Sequence, residues 1–195
     1  MNKRDFLSAS ALIGVGSLPS APALAATATK GPTLLTVGGL VPKGNRSALD
    51  PVLDQMMSKH GVKFGQAFTF DSAALQKLPK VTIRPTLEYD GKEHALSGPT
   101  LLQVLSAAGV KPEPGLRLGI RAVDGYNVTI SVADVTAYRM IVATHIDGKP
   151  MGLGSLGPQW AVYDADRLAA FKDKPLKERF GLCPWGLYYI DVAQG

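Results

Sequence analysis

Apolar residues recur at every second position in several stretches of the chain, which is the spacing of half-buried β-strands. Phe64 and Phe68 show this even spacing in one of them. The predicted strands are residues 34–41, 63–70, 81–89, 116–123, 126–132, 140–146, 159–163 and 187–192. Strands therefore account for most of the predicted structure.

Other segments have apolar residues three or four positions apart, or residues that begin a helix. The predicted short helices are residues 48–60, 71–78, 97–108 and 166–172. The first of them has a predicted apolar face of Leu49, Val52, Leu53, Met56 and Met57. Asp124-Gly125 and two further Asp-Gly pairs, Asp90-Gly91 and Asp147-Gly148, are strong signals for hairpin turns. The pattern thus predicts an α+β, β-rich domain with three or four short helices.

The first residues have a different character from the rest. Lys3 and Arg4 form a basic head, a short apolar stretch covers residues 6–15, and Ala23-Leu24-Ala25 is an A-x-A cleavage site. We expect residues 1–25 to be a signal peptide, residues 26–33 a flexible N-terminus, and residues 34–195 a single exported domain located in the periplasm. Lys3-Arg4 resembles the twin-arginine export motif with Lys in the first position, and both that route and the general one stay open.

Composition limits the classes of partner. The formal charge of +5 falls to +4 without the predicted signal peptide, and the basic residues are spread along the chain. No basic cluster is interleaved with aromatic residues, so nucleic acid is not an expected partner. No later stretch reaches the ~20 apolar residues that a membrane-spanning helix requires.

Few residues suggest catalytic or metal chemistry. The single cysteine, Cys183, cannot form an intramolecular disulfide, and its apolar neighbours favour a core position. His60, His94 and His145 lack metal-ligand spacing. The glycines of residues 152–157 neither follow a strand nor open a helix, so they do not form a dinucleotide fingerprint.

Aromatic residues near the C-terminus are more informative. Trp160, Tyr163, Trp185, Tyr188 and Tyr189 lie within or beside the last two predicted strands. Trp and Tyr rings can stack on a flat heterocycle while a polar edge forms hydrogen bonds. Core packing is the alternative role for each of them, and the sequence leaves both roles open.

The order of short motifs along the chain resembles the molybdopterin-binding domain of the sulfite-oxidase family. The motifs are Leu35-Thr-Val-Gly-Gly39, Phe70-Asp-x-x-x-Leu-x-x-Leu-Pro79, Val81-Thr-Ile-x-x-Thr-Leu87, Leu96-Ser-Gly-Pro-Thr-Leu101, Ala108-Gly-Val110, Ala122-Val-Asp-Gly-Tyr126, Ile141-Val-Ala-Thr-x-x-Asp-Gly-Lys-Pro150, Leu156-Gly-Pro158 and Trp185-Gly-Leu-x-x-Ile-x-Val192. The resemblance covers residues 34–192 and implies a sulfite-oxidase-like fold with a pterin pocket.

One departure from the family pattern changes the expected activity. Members of the family bind molybdenum through a cysteine at the end of the strand that here reads 86–89, and Tyr89 stands at that position. The chain resembles small periplasmic members that lack this cysteine and bind a simple pterin. Some of those control a membrane-bound enzyme that makes and breaks cyclic-di-GMP, through its periplasmic domain.

Three hypotheses follow from the resemblance. The first is a non-catalytic, periplasmic pterin-binding protein that acts as a ligand-sensing subunit of a membrane-bound signalling enzyme. The second is a molybdopterin-dependent oxidoreductase with atypical metal ligation, and the third is an interaction domain without a small ligand. For the first hypothesis the candidate pterin-binding residues are Trp160, Trp185, Tyr126, Asp124, Tyr89, Arg84 and Arg121. No catalytic residue and no metal ligand is predicted.

Overall fold

The structure, a computed structural model, describes residues 31–195, so the predicted signal peptide lies outside the described residues. Its strands are β1 (Leu35–Gly39), β2 (Arg46–Ser47), β3 (Gln66–Phe70), β4 (Val81–Ile83), β5 (Leu96–Gly98), β6 (Leu116–Ala122), β7 (Asn127–Ser131), β8 (Ile141–Ala143), β9 (His145–Ile146), β10 (Lys149–Pro150), β11 (Trp160–Val162) and β12 (Leu187–Gln194). Its α-helices are α1 (Gln55–Lys59), α2 (Ser72–Lys77), α3 (Leu101–Ala107) and α4 (Val132–Ala137). The α+β, strand-rich prediction with three or four short helices is confirmed.

A six-stranded sheet with the order β2-β3-β1-β12-β6-β7 forms the centre of the fold. Strand β12 runs parallel to β1 and antiparallel to β6. Side chains alternate between the two faces of a strand, so Leu118, Ile120 and Ile190 are fully buried on one face. Arg121 and Asp191, at intervening positions, lie on the opposite face beside a polar cavity.

Two smaller sheets complete the core. One has the order β10-β9-β5-β4, which leaves β4 at its edge, and the other pairs β11 with β8. Trp160 of β11 is 1% exposed, and Tyr163 stacks on Phe171 with ring centroids 4.6 Å apart. The aromatic residues that follow β11 therefore pack together beneath this pair of strands.

Local signals fix two of the helices. The Asp71 side chain accepts a hydrogen bond from the Ala74 amide (2.7 Å) at the start of α2. At the start of α3, the Thr100 and Gln103 side chains each accept from the other's backbone amide, which is a capping box. Ser97 and Gly98, predicted as the start of this helix, instead belong to β5, which pairs with β4 and β9, so α3 begins at Leu101.

The predicted helix over residues 48–60 is wrong in its length and in its buried face. Asp50 Oδ1 accepts hydrogen bonds from the Val52 and Leu53 amides, which forms turns before α1. Val52 is 71% exposed and Leu53 is 81% exposed, and Met57 is the buried residue of α1.

Helix α4 was not predicted, and a short 3-10 helix at Ala165–Arg167 replaces the predicted helix of residues 166–172. Within residues 31–195, no helix is long and apolar enough to cross a membrane.

Candidate functional site

Three chain segments meet around a cavity of about 280 Å³ that we call the aromatic cavity. They are the turn that follows β4, the β6–β7 turn, and the segment that precedes β12. The lining residues are Glu88, Tyr89, Ala122, Asp124, Tyr126, Lys177, Phe180, Gly181, Cys183, Pro184 and Trp185. Loops held by a rigid scaffold are where binding residues are most often found.

The β6–β7 turn brings a carboxylate and a phenol to the cavity. Gly125 has a φ of 91°, a conformation that glycine adopts without steric cost. The Tyr126 amide donates to Asp124 Oδ1 (2.9 Å), and the Tyr126 hydroxyl donates to the Gly181 carbonyl (2.7 Å). The second bond ties the turn to the segment before β12 across the cavity.

Trp185 is positioned by the core beneath it. The Ala161 amide of β11 donates to the Pro184 carbonyl (3.2 Å), and Trp160 and Trp185 form an antiparallel bridge. Trp160 Nε1 donates to the Cys183 carbonyl (2.7 Å) and fixes the same segment from below. Trp185 is 37% exposed and lines the cavity.

The structure brings together four of the seven predicted pterin-binding residues. Tyr89, Asp124, Tyr126 and Trp185 line the aromatic cavity, although they come from three separate segments. Trp160 does not line it, because it is buried in the core at 1% exposure. No face of the Trp160 ring is open to a ligand, and this residue is corrected to a core role.

The two predicted arginines lie at other cavities. Arg121 neighbours Ala122 on β6, and because side chains alternate it faces the opposite side of the sheet. It lines a polar cavity of about 310 Å³ together with Asp191. Arg84 lines a larger groove of about 750 Å³ and pairs with Glu93 (3.5 Å). Neither arginine is placed to contact a ligand in the aromatic cavity.

Several lining residues were not predicted from the sequence. Glu88 precedes Tyr89 in the same turn, and Lys177 and Phe180 lie in a segment without a regular pattern. Glu88 could have been inferred from its position next to Tyr89. The sequence carries no signal that brings Lys177 to the same cavity as Asp124, because that placement depends on tertiary packing.

Burial shifts the acid–base behaviour of two groups at the cavity. It raises the pKa of the Tyr89 hydroxyl, and the charge of Glu88 adds to this. Burial also raises the pKa of the Cys183 thiol to about 12, and this side chain is 3% exposed. Both groups therefore stay protonated at neutral pH.

The residues of the cavity do not fit a molybdenum ion held by a thiolate. Tyr89, at the position where the sequence motifs lead us to expect the family's cysteine, carries no thiol, and Cys183, the single cysteine, is a buried thiol. Among residues 31–195 there is also no group of three or more His, Cys, Asp or Glu side chains that could hold a metal ion. The residues do fit a flat heterocycle, since exposed rings and two carboxylates share one cavity.

Comparisons with known proteins establish the fold. No protein-family profile and no curated protein matches the chain. Among solved structures, the chain is similar to the sulfane dehydrogenase SoxCD from Paracoccus pantotrophus, with a TM-score of 0.55 and 14% sequence identity. The match covers 83% of this chain and 38% of that one, so the protein spans well under half the length of this neighbour. The described residues thus have the sulfite-oxidase-like fold that the sequence motifs imply.

Proposed function

We propose that the protein binds a metal-free pterin in the aromatic cavity and acts as a non-catalytic ligand sensor. The observation that carries this proposal is the convergence of Tyr89, Tyr126 and Trp185, all partly exposed, around a cavity that also contains Asp124. These three aromatic side chains are 57%, 49% and 37% exposed, although aromatic rings are normally buried when they only stabilise a core.

The chemistry of a pterin matches these groups. Its bicyclic ring offers a flat face for stacking on the Trp185 indole, and aromatic stacking of this kind is worth about 1–3 kcal/mol per base. The amino group and ring N–H of its pyrimidinone edge are donors, for which the carboxylates of Asp124 and Glu88 are acceptors. A cavity of about 280 Å³ lies at the lower end of the range for small-molecule sites, as expected for a small bicyclic ligand.

The cavity's only thiol supports a non-catalytic role. This thiol is protonated at neutral pH because burial raises the Cys183 pKa to about 12, so it is a poor nucleophile and metal ligand. We propose a periplasmic location from the predicted signal peptide, and a membrane-bound signalling enzyme as partner from the family resemblance. In this role the pterin is the signal that the protein reports to its partner.

The test is the small-molecule content of protein isolated from the periplasm of its native host. We expect acid-released pterin fluorescence at a level near one per chain, without molybdenum by elemental analysis. Calorimetric titration of the ligand-free protein with the released pterin gives the affinity. We expect Trp185→Phe largely to keep this affinity and Trp185→Ala to weaken it. Absence of any acid-released pterin, or an affinity for that pterin that Trp185→Ala leaves unchanged, would refute the proposal.

A molybdopterin oxidoreductase is the second candidate, favoured by the fold likeness to a sulfane dehydrogenase. Molybdenum near one per chain in the same sample would establish it. Loss of that metal in Cys183→Ala would identify Cys183 as a ligand in spite of its burial.

A further inference from the structure

Three arginines line another cavity, whose lining residues differ from those of the aromatic cavity. It is a groove of about 750 Å³ between β4, the end of α4 and residues 164–168, and we call it the arginine groove. Arg84, Arg139 and Arg167 all lie along it, and each is exposed. The acidic neighbours are Glu93, 3.5 Å from Arg84, and Asp164, 3.3 Å from Arg167. Positive charge is therefore in excess along the groove.

One wall of the groove is a strand edge. Strand β4 ends the four-stranded sheet, and its neighbour β5 lies on one side. Beyond β4 on the other side, the Arg84 amide donates to Asp164 Oδ2 (3.4 Å) and the Thr86 amide donates to Asp166 Oδ2 (2.7 Å). Backbone groups alternate between the two edges of a strand. The Thr82 amide and carbonyl therefore face the same side as the Arg84 amide, at the groove.

Arg139 is held in a conformation that arginine rarely adopts. It follows α4 with a φ of 51°, at a helix end where glycine is the usual residue. A side chain with a Cβ raises the free energy of this conformation. Such strain tends to persist where the side chain has a role, and the Arg139 side chain lines the groove.

We propose that the arginine groove binds an extended, acidic segment of a partner protein, which adds to the edge of β4. Backbone hydrogen bonds to Thr82 would supply affinity, as in other cases of strand addition to an open sheet edge. Guanidinium groups bind carboxylates through paired, charge-assisted hydrogen bonds, so Arg84, Arg139 and Arg167 would select for Asp and Glu side chains. This interaction is independent of the proposed pterin site.

The probe is a synthetic peptide in which glutamate alternates with valine, added to the isotope-labelled protein and followed by amide chemical shifts. We expect saturable shifts at Thr82 and Arg84, and hydrogen-exchange protection of the Thr82 amide. A peptide in which lysine replaces glutamate should produce neither effect. Pterin affinity should be the same with and without the peptide.

Arg139→Gly is the most informative variant, because glycine accepts the positive φ and the fold should be kept or stabilised. We expect peptide affinity to fall about tenfold, the equivalent of one lost charge-assisted contact. The control is Arg117→Gln, which removes a charge from the exposed side of β6 and should leave affinity unchanged. Thr82→Pro, which removes the edge amide from a position that tolerates proline, should abolish binding.

Four outcomes would overturn the proposal. Absence of any shift at Thr82 would mean that the arginines only protect the strand edge from unwanted pairing. Equal binding of the lysine peptide, or unchanged binding to Arg139→Gly, would remove the basis for acidic selectivity. If inorganic phosphate reproduced the shifts and displaced the peptide, the groove would be a site for small anions instead.

Discussion

The aromatic cavity and the aromatic core beneath it are adjacent regions with opposite properties, and they meet at the bridge between Trp160 and Trp185. Below the bridge, Trp160 packs against Phe180 with ring centroids 5.9 Å apart and is closed to solvent. Above it, Trp185, Tyr89 and Tyr126 leave part of each ring open. Residues of one chemical type thus occupy two adjacent environments, and Phe180 contributes to both.

The difference teaches where stability and recognition are located. In the core, the rings remove apolar area from water and fill space at high density, so each contributes to the free energy of folding. In the cavity, the exposed faces contribute little to folding but are free to bind a ligand. The two tryptophans should therefore differ in what their removal changes.

The largest expected effect is on stability. Trp160→Ala should lower the free energy of unfolding by about 3–5 kcal/mol, as measured for large aromatic residues removed from cores. Trp185→Ala should lower it by less, about 1–2 kcal/mol, because this residue is 37% exposed and removes less buried apolar area. Urea unfolding followed by circular dichroism would compare the two. Equal losses would show that the cavity segment is part of the cooperative core.

The next effect is on recognition. Asp124→Asn should weaken pterin binding about tenfold, since it replaces a charge-assisted acceptor by a neutral one. The variant keeps the oxygen that accepts from the Tyr126 amide, so the turn should stay intact. Asp173→Asn, which makes the same change at an exposed position outside the cavity, is the control. Calorimetric titration of both variants would test the role of Asp124, and equal affinities would contradict it.

The smallest effect concerns the turn that carries Tyr89. His94 lies between two carboxylates, 2.6 Å from Asp147 and 3.0 Å from Asp90, and so links two turns. Hydrogen bonds to Asp147 and then Asp90 raise the His94 pKa, and the hydrogen bond to His94 lowers the pKa of each Asp. The link is therefore strongest in a pH window. The window begins above the ordinary Asp pKa of about 4 and ends at the raised His94 pKa.

Because the His94 pKa is raised in the folded state, its contribution is present at lower pH and is lost as the pH rises through that value. The contribution of the two carboxylates is lost as the pH falls through their lowered pKa values. We expect a small decrease in melting temperature on each side of this window, and His94→Gln should flatten the high-pH decrease. Melting curves across pH measure this, and an unchanged pH profile in His94→Gln would rule the link out.

The sequence predicted the parts of the fold that local chemistry determines. The Asp124-Gly125 turn and the start of α2 at Asp71 depend on residues within a few positions of each other, and the structure contains both. The predicted helix of residues 48–60 failed because Asp50 accepts from nearby amides and forms turns instead. Periodicity alone could not detect this competition.

The candidate site also contains residues that the sequence could identify and residues that it could not. The sequence suggested seven candidate pterin-binding residues, and the structure brings four of them, Tyr89, Asp124, Tyr126 and Trp185, to one cavity. The sequence could not tell Trp160 from Trp185, because which of them is buried depends on strand pairing far along the chain. The alternation of apolar and polar residues in β6 could have assigned Arg121 to the face opposite Ala122, because Leu118, Ile120 and Ala122 share the buried face.

The Trp160–Trp185 bridge also gives the protein a spectroscopic property. The chain contains two tryptophans, one enclosed and one partly open to solvent. A ligand seated on the open indole would shield it from a water-soluble quencher, while the enclosed indole is shielded from that quencher with or without a ligand. The quenchable fraction of the emission would then report occupancy of the cavity without any added label.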